Sequence, residues 1–268
     1  FYEFPIEEKK SLNRNNDLNF GPFGSQWCHD LQKDDKLNKE EKRRKKVYDF
    51  LNSIKYPEQR SEEWFKNREE KITASDGGCI VGVNKYEPVW KFIKKKVMGL
   101  PFQSNIYCYH GKKLEEIATM VYEYRMNVKV KEFGMVPHPK INHLGASPDG
   151  IVSPYKLDGK HLTKYVGRML EIKCPLSRKI KKTGEIKGEI CPIYYWVQVQ
   201  LQLECCDLDE CDFWQCEIIE YDDREDFVLD TNLEYPYLSK SKNMEKGALI
   251  QILPFNRPDD LSYLDLVY

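Results

Sequence analysis

The hydrophobic period of this sequence switches from helical to alternating after residue 125, and that switch constrains the fold more than any other feature. In HGKKLEEIATMVYEYR, residues 110–125, Leu114, Ile117, Ala118, Val121 and Tyr122 recur at helical spacing. Immediately afterwards the pattern alternates. NVKVKEFGMV (127–136), LGASPDGIVS (144–153, broken at Pro-Asp-Gly) and VGRMLEIKCP (166–175) read as strands, and CDFWQCEIIEY (211–221) reads as another. The predicted order is helix, three strands, helix and strand. Three successive strands favour antiparallel pairing at the start of a mixed sheet with helices packed around it, an α/β (α+β) architecture.

The flanking segments are polar. Residues 1–37 lack a sustained period and read as an extended arm anchored by residues such as Trp27. LNKEEKRRKKVYDFLNSI (38–55) is a charged helix whose basic run, Lys42–Lys46, reads as a solvated face. EEWFKNREEK (62–71) is helical. In ITASDGGCIVG, Thr73, Ser75 or Asp76 is placed to cap a following helix, and the glycines mark a turn. PVWKFIKKKV (88–97) is a short basic amphipathic helix, and RKIKKTGEIK (178–187) an exposed loop. The expected organisation is an arm and charged helix over 1–60, a core over 61–221, and a C-terminal helix and loop segment over 222–268 packing on that core.

Charge limits the partners. Lys plus Arg is 42 against 43 Asp plus Glu, a formal net charge of −1. A globally basic nucleic-acid coat is excluded, so any DNA-binding surface is a local patch. The best candidates are Lys94–Lys96 and the loop from Arg178 to Lys187, with Arg178, Lys179, Lys181 and Lys182 as its leading cations. No apolar run approaches the roughly 18–20 residues of a membrane helix. The opening FYEFPIEEKK has no apolar core flanked by basic residues and is no signal peptide. Nine cysteines, an odd number, read as reduced thiols of an intracellular, cytoplasmic protein that is not secreted.

One constellation carries chemistry. Glu171 and Lys173 in LEIKCP are two apart on a predicted strand, so their side chains share one face while Ile172 points into the core. Asp149, in SPDG, lies at a turn, and a hairpin can bring it beside Glu171. Two carboxylates converging with an ammonium group form a plausible Mg²⁺ site, because hard divalent cations take oxygen ligands. A water activated there would attack a phosphodiester, with Lys173 orienting it or helping to deprotonate it. On spacing alone the same residues also fit an Asp-Gly turn beside an ordinary Glu/Lys pair.

The flanking residues separate these readings. SPDG followed by LEIKCP resembles the PD-(D/E)xK nuclease core, and more narrowly the phage lambda exonuclease and YqaJ-type viral recombinase family. Further motifs match in order: Trp64, Arg68, Ile72, Thr73, Ala74 and Ser75; then Gly111, Lys112 and Glu115; then Tyr194, Tyr195, Gln198, Val199 and Gln200. The resemblance covers roughly residues 60–221. It implies a restriction-endonuclease-like core, a central mixed β-sheet flanked by helices, with an N-terminal helical extension. It makes Asp149, Glu171 and the backbone carbonyl of Ile172 metal ligands, and Lys173 the catalytic lysine. Glu115 becomes an additional acid near the metals. Gln198 would position the lysine or the water. Arg68 and Ser75 would bind phosphate at a DNA end, with Ser147 joining that pocket.

The implied activity is Mg²⁺-dependent exonucleolytic resection of double-stranded DNA ends, 5′ to 3′, for recombination or repair. Mn²⁺ would serve as a substitute metal. The family also implies rings, hence a homo-oligomer, a single-strand annealing protein as partner, and a source in a large DNA virus or a phage-derived gene. In one place resemblance and periodicity conflict. WVQVQLQLE alternates strictly and reads as a strand, whereas the family makes it a helix, with Tyr194, Gln198 and Gln202 on one face. The helix is adopted here.

Three rival readings remain open at this level. Cys205, Cys206, Cys211 and Cys216 could hold an Fe–S or zinc site. Adjacent Cys205–Cys206 is poor ligand spacing and no cysteine follows Cys216, so buried thiols are expected. His138 and His143 read as loop residues. The chain could instead be a RecB-like, CRISPR-associated-type nuclease acting on single strands or internally, or a non-catalytic DNA-end-binding protein.

Overall fold

A computed structural model describes residues 36–100 and 105–250. The chain runs α1 (Lys39–Ser53), α2 (Glu62–Glu70), β1 (Ile72–Thr73), a 3-10 turn (Ala74–Asp76), α3 (Gly77–Ile80), α4 (Val89–Val97), α5 (Ile106–Met126), β2 (Val130–Lys131), β3 (Val136–Pro137), β4 (Leu144–Ala146), β5 (Gly150–Val152), β6 (Met169–Lys173), α6 (Ile193–Cys206), β7 (Cys211–Gln215) and α7 (Arg224–Leu229). Two compact units result, the larger running up to Glu123 and again over Val128–Glu217, the smaller taking Tyr124–Asn127 and the chain from Ile218. The predicted arm and its anchor Trp27 lie outside the described residues. Among the described residues no helix is long and apolar enough to cross a membrane.

The larger unit holds a four-stranded mixed sheet in the order β2-β5-β6-β7. β2 and β5, and β5 and β6, are antiparallel, while β6 and β7 are parallel with Glu171 opposite Phe213 and Lys173 opposite Gln215. This is the expected mixed sheet flanked by helices. A second sheet, β1-β4-β3, was not expected. It arises because the segment read as one strand over 127–136 breaks and changes sheet, and because 144–153, at its expected Pro-Asp-Gly break, changes sheet as well. At both breaks a carbonyl is taken by Gln59, whose amide donates to Phe133 (2.8 Å) and Pro148 (3.0 Å). Gly134 faces the backbone of Pro57 so closely that a Cβ there would meet its carbonyl oxygen at 2.0 Å. The strand read over 211–221 ends at Gln215.

The charged helix α1 packs inward rather than standing in solvent. Tyr48 and Leu51 join Phe133, Val136, Ile151, Met169 and Val199 in one core cluster. Arg44, in the middle of the basic run, is buried. Its guanidinium donates to the carbonyls of Val166 (3.2 Å) and Lys164 (3.0 Å) and pairs with Glu210. Arg43 pairs with Asp209 at 2.7 Å. The run is therefore largely a packing and ion-pair surface, not the solvated face its composition suggests.

The WVQVQLQLE segment is helical, as α6. Alternation fails as a guide because Gln198 and Gln202 fall four apart on one helical face, while Gln200 turns to solvent. Asp207, at φ 52°, ends the helix in the left-handed region. Gly77 and Gly78 lie inside α3 rather than in a turn, and they are there for close approach. A Cβ on Gly77 would meet Leu201 Cδ1 at 2.4 Å, and one on Gly78 the Cβ of Tyr194 at 2.8 Å.

In the smaller unit, Arg125 makes two bonds to Glu245 at 2.6 Å, and the Tyr221 hydroxyl donates to Asp230 at 2.7 Å. Asp223 caps α7 by accepting from the Asp226 amide.

Candidate active site

The site is built around Glu171, at the centre of β6. The strand places its side chain opposite in direction to Leu170 and Ile172, and the residue is completely buried. A buried carboxylate needs donors, and three converge on it. Lys173 reaches Oε1 from the same face of the strand. From α6, Gln198 donates to Oε1 at 2.6 Å and Gln202 to Oε2 at 2.7 Å. The Gln202 amide also lies 3.4 Å from the Ser147 carbonyl. Asp149 ends the SPDG turn just before β5, and its Oδ2 accepts from the Ile172 amide at 2.6 Å. The hairpin thus sets Asp149 beside β6 as the sequence predicts, while the Ile172 side chain enters the core.

Electrostatics tie these groups together. Burial, and then the charge of Glu171, push the Asp149 carboxyl well above the usual carboxylate range against the pull of Lys173. Burial also raises the Glu115 carboxyl, with Arg60 and Lys173 opposing and Glu171 reinforcing. Glu115, on α5, pairs with Arg60 at 3.0 Å. Burial alone would pull the Lys173 ammonium down. Glu171 and Asp149 outweigh it and hold the group above the ordinary lysine range. The same ammonium stands 4.6 Å from the ring centroid of Tyr195.

Three neighbouring carboxylates, two with raised proton affinity, form an oxygen-donor set whose repulsion a hard divalent cation would relieve. Among the described residues no group of three or more His, Cys, Asp and Glu side chains is placed to hold a metal ion as it stands. Glu171 is turned instead to Lys173 and the two glutamines. The donor chemistry fits such a cation, with Asp149, Glu171 and Glu115 as the side chains that would hold it.

Next to this cluster lies a polar network. Arg68 donates to the Ser75 hydroxyl at 3.1 Å, and its guanidinium stacks 4.6 Å from the Trp64 ring centroid. Burial lowers the Arg68 pKa, with Asp76 opposing. Ser75 and Thr73 share a hydroxyl contact of 2.8 Å, and the Thr73 amide and hydroxyl both donate to Asp76. The Trp64 indole donates to Ser147 at 3.0 Å. The predicted phosphate-binding residues Arg68, Ser75 and Ser147 are therefore brought together through Trp64.

The basic patches fare unevenly. Lys96 donates to the carbonyls of Arg68 and Lys71, both at 2.7 Å, and Lys95 pairs with Glu87, so the Lys94–Lys96 run is mostly committed internally. In the other loop, Lys179, Lys181 and Lys182 are exposed, and Lys181 pairs with Glu189 at 3.5 Å. Arg178 folds back onto Gln215 at 2.7 Å. Cys205 and Cys206 pack in the core, where burial pushes the Cys205 thiol up to about 12. His138 is buried and its Nδ1 accepts from the amides of Lys140 and Ile141. Sequence reasoning put Gln202 on the right helix face but gave it no role, and it missed Tyr195 as a partner of Lys173. The signal for Gln202 was its i+4 spacing from Gln198.

Residues 63–209 match the model of the YqaJ-like viral recombinase domain. The chain is 46 % identical over 211 residues to an uncharacterized protein of Acanthamoeba polyphaga mimivirus, covering 78 % of this chain and 38 % of that protein. The chain thus spans well under half the length of that curated relative. Among solved structures, an alkaline exonuclease from Laribacter hongkongensis is 27 % identical with a TM-score of 0.48, over 60 % of this chain and 77 % of that one. Its complex with dAMP gives 31 %, 0.46, 61 % and 75 % respectively. With the family model matching over half its length, this chain belongs to the YqaJ-like viral recombinase domain family.

Proposed function

We propose that this chain is a divalent-metal-dependent deoxyribonuclease that degrades double-stranded DNA from its ends, with Mg²⁺ as the metal and 5′-to-3′ polarity. The observation that carries the reading is the cluster of Asp149 and Lys173 around the buried Glu171 carboxylate, held in place by Gln198 and Gln202. Membership of a viral recombinase family agrees with it. Duplex ends are the proposed substrate, with an annealing protein and further copies of the chain as proposed partners.

Asp149, Glu171, Glu115 and the Ile172 carbonyl would hold the cation, which supplies an acidified water and charge neutralisation at the phosphate. The chain does the rest. Lys173, kept protonated by Glu171 and Asp149, donates to the water or to the developing phosphorane charge. Gln198 fixes the Oε1 edge of Glu171 and Gln202 the Oε2 edge. Arg68 and Ser75 offer a guanidinium fork and a hydroxyl to the terminal phosphate.

The test is substitution of Lys173. Lys173→Ala should abolish Mg²⁺-dependent cleavage of linear duplex while leaving thermal unfolding cooperative and DNA binding measurable. Wild-type cleavage by this variant would refute the assignment.

A further inference from the structure

Resting on the nuclease reading above, we infer that Tyr86, Tyr194 and Tyr195 form a stacking track for the bases of an unpaired DNA strand leading to Lys173. The three rings are continuous. Tyr86 meets Tyr194 edge-on with centroids 5.8 Å apart, and Tyr194 lies 4.4 Å from Tyr195. The Lys173 ammonium stands 4.6 Å from the Tyr195 centroid. The outer end is open, because Tyr86 is 66 % exposed.

This exposed ring is held rather than loose. The amides of Val83 and Asn84 both donate to the Gly78 carbonyl at 2.9 Å, and the Asn84 side chain accepts from the Tyr86 amide at 3.0 Å. Gly78 in turn packs on the Tyr194 backbone, where a Cβ would meet the Tyr194 Cα at 3.1 Å. Burial, Tyr195 and Tyr86 together push the Tyr194 hydroxyl up. The loop is therefore tied to the start of α6.

Cations accompany the rings. The Lys85 ammonium is 5.0 Å from the Tyr86 centroid, that of Lys187 is 4.3 Å from Trp196, and Arg178 acts electrostatically on Tyr194. Aromatic faces alternating with basic side chains suit single-stranded nucleic acid, because every base has a π-face and every linkage a negative charge. A purely electrostatic groove would need no exposed tyrosine, and a core contact would bury it.

The experiment compares binding of a 5′-phosphorylated twelve-residue oligothymidylate with that of an abasic strand of equal length and charge, with Ca²⁺ in place of Mg²⁺. Wild type should prefer the base-bearing strand. Tyr86→Ala should weaken its binding by about 5- to 150-fold, the effect of one lost stacking contact, with the abasic affinity unchanged. Tyr86→Phe should keep the preference, which separates stacking by the ring from any contact of the hydroxyl. Equal losses for both strands, or no loss, would overturn the inference. If wild type degrades DNA while Tyr86→Ala shows no base-dependent loss, only the track fails. If wild type neither cleaves nor binds DNA, the nuclease reading and the track fail together.

Discussion

Replacing Gln202 by Leu keeps the volume of the side chain nearly constant but removes the donor to Oε2 of Glu171. Both residues are essentially without solvent access, at 1 % and 0 % exposure, so no water replaces the lost bond. A hydrogen bond to a charged group contributes about 1.5–3 kcal/mol, and a buried acceptor left without a partner brings the full desolvation penalty. The expected loss of stability is therefore about 2–3 kcal/mol. At about 2–4 °C per kcal/mol for a domain of this size, Tm should fall by roughly 4–12 °C. The weaker 3.4 Å contact to the Ser147 carbonyl adds little. The assay is a double-mutant cycle in urea with wild type, Gln202→Leu, Glu171→Leu and the double variant. Without the Glu171 carboxylate, Gln202→Leu should cost little, giving a coupling of about 1.5–3 kcal/mol. Gln200→Leu, at an exposed position of the same helix, should change stability by less than about 0.5 kcal/mol. Effects at 202 and 171 that add within about 0.5 kcal/mol would refute the reasoning.

Three other expectations follow from the geometry. Gly78→Ala should cost about 1–3 kcal/mol in urea denaturation, because its Cβ would stand 2.8 Å from that of Tyr194 with backbone behind it. Arg44→Met should destabilise by about 1–3 kcal/mol by leaving the buried carbonyls of Val166 and Lys164 without their donor, while Glu210 keeps its bonds from Arg168. The salt dependence of DNA binding should be unchanged in that variant, which separates a structural arginine from a phosphate contact. Asp149→Asn should raise Tm in EDTA near neutral pH. Because the folded carboxyl has a higher pKa than the unfolded one, wild type loses stability as pH climbs from the unfolded carboxylate pKa through the folded value, and the Asn variant does not. Added Mg²⁺ should raise Tm in wild type and much less in Asp149→Asn.

Much of this site was legible because strand and helix periods fix side-chain direction. The spacing of Glu171 and Lys173 put them on one face, and the Pro-Asp-Gly break put Asp149 at a turn beside them. What resisted reading was long-range. The Gln59 amide bridges the carbonyls of Phe133 and Pro148 where two segments change sheet, a contact no local pattern announces. Arg44 sits in a run of five cations, yet only its depth against Val166 and Lys164 makes it structural. The α6 segment shows why alternation misleads: its glutamines at 198 and 202 are polar because they face a buried carboxylate, not because they face water. Gly77 and Gly78 looked like turn residues, whereas α6 packs too close for any side chain there.

The most direct test of the central claim is a time course on linear duplex DNA with distinguishable 5′ and 3′ labels, run beside a covalently closed circle, with Mg²⁺ or EDTA. The account predicts progressive Mg²⁺-dependent loss of the 5′ label, an intact circle, and no reaction in EDTA. Cutting of the circle, or label loss that persists in EDTA, would contradict it.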